Sequence, residues 1–140
     1  MVEESVQFHS ECDFELADSE EIIAWMESTA KEESKHIGAL NYIFCDDEYL
    51  HKINVEFLNH DTLTDIITFD YCVGDELISD IYISVERVRE NAKEFSDSFE
   101  DELSRVLIHG LLHLCGYKDK TDDESASMRQ KENYYLSLRA

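Results

Sequence analysis

The run Leu103, Val106, Leu107, Leu111 and Leu114 limits the fold more than any other feature, because apolar residues at this helical spacing define a largely buried helix. Ser98-Phe99-Glu100-Asp101, just before it, matches a helix start: a serine hydroxyl and nearby carboxylates stand where the first free N–H groups need partners. Gly116 stands just past its end, where a left-handed cap residue belongs. A helix over about residues 99 to 115 therefore sits at the centre, and the rest of the chain must wrap it.

The flanking elements can supply that wrapping. Val6 and Phe8 alternate with polar neighbours and predict a short first strand. Ile22, Ile23, Trp25 and Met26 open an amphipathic helix that reaches about Ser34, with Asp18 or Ser19 as its cap. Ile37 to Cys45 is rich in β-formers and reads as a strand. Asp46 or Asp47 then caps a helix with Tyr49, Leu50, Ile53 and Phe57 on its apolar side. Asn59-His60-Asp61 is a polar loop. Ile66 to Tyr71 predicts a third strand, and the adjacent Ile66-Ile67 pair implies cover on both faces. After a turn at Gly74-Asp75, Leu77 to Ser84 forms a fourth strand, and Ser84 caps a helix from Val85 to about Phe95. A last amphipathic helix covers about Asp122 to Leu138. The chain has no proline, no linker and no internal repeat, so one domain over residues 1–140 is the simplest organisation. The expected fold is α+β, with about four strands in one mixed sheet and about five helices.

Composition narrows the class. An apolar fraction of 43%, with seven Tyr and seven Phe, separates the chain from disordered acidic proteins. Lys and Arg number 12 against 33 Asp and Glu, and the net charge of -21 repels phosphate at long range. Cys12, Cys45, Cys72 and Cys115 form no CxxC pair and are expected as reduced, partly buried thiols. Met1 to Ser5 has neither the basic nor the apolar region of a signal peptide, and no apolar run suffices to span a bilayer. A soluble cytoplasmic protein is expected, with no membrane partner.

The chemistry concentrates in His109-Gly110-Leu111-Leu112-His113-Leu114-Cys115-Gly116-Tyr117-Lys118-Asp119. His109 and His113 are four residues apart on a helix and project from one face, within reach of a single ion. Gly116 reverses the chain, and Asp119 follows at a distance that a short loop closes. Three protein ligands with an open position is the arrangement of a catalytic zinc. The same spacing also arises in unrelated histidine pairs, but imidazoles beside a core are costly to leave unpaired. The zinc-peptidase pattern HExxH needs a glutamate where this chain has Gly110, so the base of that mechanism is missing. Gly110 either leaves room beside the ion for a bulky substrate or permits close helix packing. His9, His36, His51 and His60 show no ligand spacing and read as surface residues.

These residues resemble the YbeY family of bacterial endoribonucleases and rRNA maturation factors, whose pattern is H-G-x-x-H-L-x-G-Y-x-H. Thr64-Asp65-Ile66-Ile67-Thr68-Phe69 resembles a second family segment and Ser79-Asp80-Ile81-Tyr82-Ile83-Ser84 a third, all in the family's order. The resemblance implies a zincin-like domain whose central helix carries the ligands, with one zinc or another divalent transition metal on His109, His113 and Asp119. Asp119 stands where the family has its third histidine, a ligand exchange that zinc accepts. The family carries an arginine shortly before the T-D segment, and its place here is Leu58. The resemblance further implies a single-strand-specific, metal-dependent endoribonuclease. Its place would be late 70S ribosome quality control and maturation of the 3′ end of small-subunit rRNA, with rRNA and small-subunit ribosomal proteins as partners and no nucleotide cofactor.

Against the acidic background, Arg87, Arg89, Lys93 and Arg105 on two helices and Lys118 and Lys120 beside the metal loop form either a basic strip or an ordinary solvated face. Arg87, Arg105, Tyr117 and Lys118 are the candidate substrate-binding residues, Tyr117 by stacking on a base or else by packing beneath the turn. Asp65 and Asp80 are candidates to orient the ligands, or else cap strand ends. Cys115, close to the site, reads as small apolar filler. An assembly factor with a structural metal and a metal hydrolase of another substrate class are the competing readings.

Overall fold

The computed structural model of the chain describes residues 6–58 and 64–139, with Leu58 described by its backbone alone. The expectations placed on Met1 to Ser5, on Asn59-His60-Asp61 and on the Leu58 side chain lie outside the described residues. The elements run β1 (Val6–Ser10), α1 (Ser19–Glu32), β2 (His36–Cys45), α2 (Asp47–Leu58), β3 (Ile66–Asp70), β4 (Glu76–Ser84), α3 (Val85–Glu94), α4 (Phe99–Leu114) and α5 (Asp122–Ser137). The four strands make one mixed sheet in the order β1-β2-β4-β3; β1, β2 and β4 are parallel and β3 runs antiparallel at the edge. The α+β class, the strands and the helices match the expectation from sequence.

One face of the sheet carries the main core. Val6, Leu40, Tyr42, Phe44, Ile81 and Ile83 from the strands meet Ile22, Trp25 and Met26 of α1, Val88 of α3, and Met128 and Tyr135 of α5 around α4. Leu107, Ile108, Leu111 and Leu112 of α4 are wholly buried. Burying one such side chain contributes about 1.5–3 kcal/mol, which makes α4 the anchor of the domain. On the opposite face, Cys45, Leu50 and Ile67 form a smaller cluster beneath α2. The Ile66-Ile67 pair is thus covered on both sides, as two adjacent strand residues must be when helices flank a sheet.

The helix ends follow local chemistry. Ser84 and Ser98 accept hydrogen bonds from the backbone N–H groups of Arg87 and Asp101, at 3.2 and 3.1 Å, as their positions predict. Asp46 caps α2, accepting from the Tyr49 N–H at 2.8 Å, and Asp47 is released for other contacts. Asp18 occupies the cap position of α1 with φ 57°, and no side-chain bond closes that end. The four cysteines are free. Burial pushes Cys45 and Cys115 up to about 12, so both stay protonated and act as apolar filler. No helix among the described residues is long and apolar enough to cross a membrane.

Candidate metal and RNA site

α4 presents one narrow polar face to a cleft of about 620 Å³ bounded by β3, α3 and α5. Glu102, Arg105, His109 and His113 recur along that face at helical spacing, while Leu103, Val106, Leu107, Ile108, Leu111, Leu112 and Leu114 turn into the core. The helix then ends as the sequence requires. Gly116 has φ 112°, its N–H reaches the His113 carbonyl at 3.1 Å, and the Tyr117 N–H reaches the Leu112 carbonyl at 3.1 Å. This paired closure turns the chain back along α4 and brings Asp119 into the cleft.

α5 fixes the returning loop. Thr121 and Glu124 form a reciprocal cap at the start of α5, and the Ser125 hydroxyl donates to the Asp119 carbonyl at 2.9 Å. Tyr117 points away from the cleft: its hydroxyl donates to Glu33 at 2.9 Å, and Tyr135 and Lys131 close on the same carboxylate. Burial opposes ionisation of Glu33, but these donors outweigh it and hold the carboxyl below its usual range. Of the two roles open to Tyr117, the structure places it beneath the turn.

Two of the three metal candidates, His109 and Asp119, face each other in the cleft. The Nδ1–H of His109 donates to Glu132 at 2.7 Å, and its Nε2 lies 3.3 Å from the Asp119 carboxylate. Glu132 is 5% exposed and also accepts from Arg105 at 2.9 Å; Arg105 reaches Asn133 at 2.8 Å as well. A carboxylate on Nδ1 fixes the orientation of the ring and leaves Nε2 on the Asp119 side. Burial alone would push the His109 pKa down, but the Glu132 bond and the charges of Glu132, Asp119 and Asp65 raise it. Burial likewise opposes the Glu132 charge, yet His109 and Arg105 hold its pKa low. The carboxylates around this half-buried imidazole thus favour positive charge at the site.

His109 and Asp119 suit a divalent ion. Two donors each about 2.0–2.1 Å from a tetrahedral zinc are about 3.3 Å apart, the separation seen between His109 Nε2 and Asp119. His113, exposed and one turn further along α4, lines the same cleft. Among the described residues no three His, Cys, Asp or Glu side chains are grouped so that they could hold a metal ion, and His113 stands apart from the His109–Asp119 pair. Imidazole and carboxylate are the donor types zinc takes, and the pair turned towards the cleft has the right spacing.

The other candidates divide. Arg105 lines the cleft but is committed to Glu132 and Asn133. Arg87 lies elsewhere, paired with Asp47 at 2.8 Å where α3 meets α2, and Arg89 lies over the Phe99 ring. Lys118 is exposed on the loop and does not line the cleft. Arg87 and Arg105 thus do not form one free basic strip. Asp65 lines the cleft 3.5 Å from Asn91, and burial raises its pKa although His109 opposes this. Asp80 faces the opposite side of the sheet, where it accepts from Asn41 at 3.2 Å. Gly110 faces β3 and β4, where an added Cβ would meet Ile66 at 3.0 Å. Its role is close packing of helix on sheet, and the room it leaves is not in the cleft.

Glu132 is the residue that the motif did not reveal. Its signal lay on α5, where a glutamate shares a stripe with buried Met128 and Tyr135; a charge there requires a buried partner.

Comparison with known proteins shows the family. A family model described as "Endoribonuclease YbeY" matches residues 6–139. The Endoribonuclease YbeY of Flavobacterium johnsoniae is 56% identical over 95% of this chain and 96% of its own length. That of Cytophaga hutchinsonii is 50% identical over 99% of both chains. The solution structure of TM1509 from Thermotoga maritima superposes with a TM-score of 0.65 at 30% identity, covering 94% of this chain and 87% of that one. With a family match across nearly every described residue and full-length relatives at this identity, the chain belongs to the endoribonuclease YbeY family.

Proposed function

We propose that the chain is a metal-dependent endoribonuclease that cuts single-stranded RNA and acts in maturation of the 3′ end of small-subunit rRNA and in late 70S ribosome quality control. The carrying observation is His109 held by Glu132 on one ring nitrogen and turned towards Asp119 with the other, inside an open cleft. One zinc, or another divalent transition metal, would be held by His109, His113 and Asp119. When bound it supplies Lewis acidity at a phosphoryl oxygen.

The chain's own groups do the rest. Glu132 orients His109, and the bonds from His109 and Arg105 together favour the Glu132 carboxylate. Ser125 fixes the backbone of Asp119. The cleft is open enough for a phosphodiester to approach the donors, and its polar walls suit a flexible strand better than an apolar substrate. The net charge of -21 disfavours naked RNA and favours delivery by basic ribosomal proteins of the small subunit, in the cytoplasm.

The test is incubation of metal-loaded protein with single-stranded RNA, duplex RNA and a denatured protein substrate. Cleavage of single-stranded RNA alone, lost in His113→Ala, is expected. Equal RNA loss with wild type and His113→Ala would overturn the proposal, and proteolysis would assign the site to another hydrolase class.

A further inference from the structure

Four carboxylates line the cleft, those of Asp65, Glu102, Asp119 and Glu132, and a polyanionic strand entering it needs a cation that the protein has not already neutralised. Arg105 does not qualify, because Glu132 and Asn133 hold its guanidinium. The other lining guanidinium is Arg129, on α5. It is exposed, and among the described residues it closes no ion pair or hydrogen bond. It stands one helical turn beyond Ser125, whose hydroxyl bonds the Asp119 carbonyl, and three residues before Glu132, which holds His109. α5 therefore carries on one face the two residues that steady the metal candidates and, between them, a free fork of donors.

We infer that Arg129 is a substrate-binding residue that grips a backbone phosphate of the RNA beside the scissile linkage. A guanidinium can offer two parallel N–H groups to two phosphate oxygens, a match that a lysine ammonium does not make. Its charge is already felt inside the cleft. Burial and Asp65 push the Glu102 carboxyl up, and Arg105 and Arg129 draw it back. An incoming phosphate exchanges this diffuse attraction for a direct contact.

The inference rests on the proposed RNA cleavage, and the experiment separates the two. Full-length, metal-loaded wild type, Arg129→Ala, Arg129→Lys and Lys52→Ala are compared on one single-stranded oligoribonucleotide, with affinity and cleavage measured across a salt series. Lys52 lies in the groove beneath α2, on the other side of the sheet, and removes the same charge far from the site. Arg129→Ala should weaken binding about 10- to 100-fold and flatten the slope of log affinity against log salt by about 0.7, the loss of one phosphate contact. Arg129→Lys should keep the slope and recover part of the affinity, and thermal midpoints should match wild type because the side chain is exposed. Wild-type cleavage with Arg129→Ala no weaker than Lys52→Ala would overturn the role of Arg129 and leave the nuclease proposal standing. Absence of both binding and cleavage in wild type would overturn both.

Discussion

Replacing Glu132 by glutamine probes the link between packing and chemistry, because one buried carboxylate serves His109 at 2.7 Å and Arg105 at 2.9 Å. Glutamine keeps the shape but turns one acceptor oxygen into an amide NH₂, which then faces a donor. Hydrogen bonds to charged groups contribute about 1.5–3 kcal/mol each, so losing one and weakening the other should cost about 2–3 kcal/mol. A domain of this size has about 5–15 kcal/mol in hand, and the variant should fold. Trp25 reports on the change, since its indole donates to the Tyr135 carbonyl on the same helix at 2.9 Å. Urea unfolding followed by its fluorescence measures the stability loss. Chelator competition measures the second effect, a fall in metal affinity of about 10- to 100-fold once nothing fixes the His109 ring. A variant with wild-type metal affinity and a stability cost below about 0.5 kcal/mol would refute the role assigned to Glu132.

Other perturbations test other parts of the structure. Gly110→Ala should change stability by less than about 1 kcal/mol, because the gain in helix propensity offsets the 3.0 Å contact with Ile66, whereas Gly110→Leu should cost about 1–3 kcal/mol by overpacking; urea midpoints decide. Glu33 has a folded pKa below the ordinary glutamate value of 4.5, so its stabilisation is fully present above that value and is lost as pH falls through the lower folded value. The stability difference between wild type and Glu33→Gln should therefore shrink on acidification below about pH 4.5, and a difference that grows there would contradict the assignment. Arg87→Ala should lower the urea midpoint by breaking the pair with Asp47 while leaving RNA affinity unchanged, since Arg87 is outside the cleft.

What the sequence revealed of the fold and site was mostly local. The apolar spacing of α4, the serine caps of α3 and α4, and the glycine turn after Leu114 depend on neighbours within a few positions, and the structure reproduces each. The pairing of His109 with Glu132 joins residues 23 apart, and that of Arg105 with Glu132 joins residues 27 apart; neither has a local pattern to announce it. Arg87 shows the same limit. Its position on α3 suggested a free cation, but Asp47 on another helix claims it. Asp65 and Asp80 look equivalent in sequence, and the sheet sends the first into the cleft and the second to the opposite face. Gly110 permitted two readings until β3 and β4 were in place against it.

The most direct test strips the protein of metal, returns zinc stepwise and follows cleavage of single-stranded RNA. Activity should rise until about one equivalent is bound and then level off, and Asp119→Ala should stay inactive at that loading. Full cleavage by metal-free protein, or by Asp119→Ala at one equivalent, would contradict a catalytic ion held by His109, His113 and Asp119.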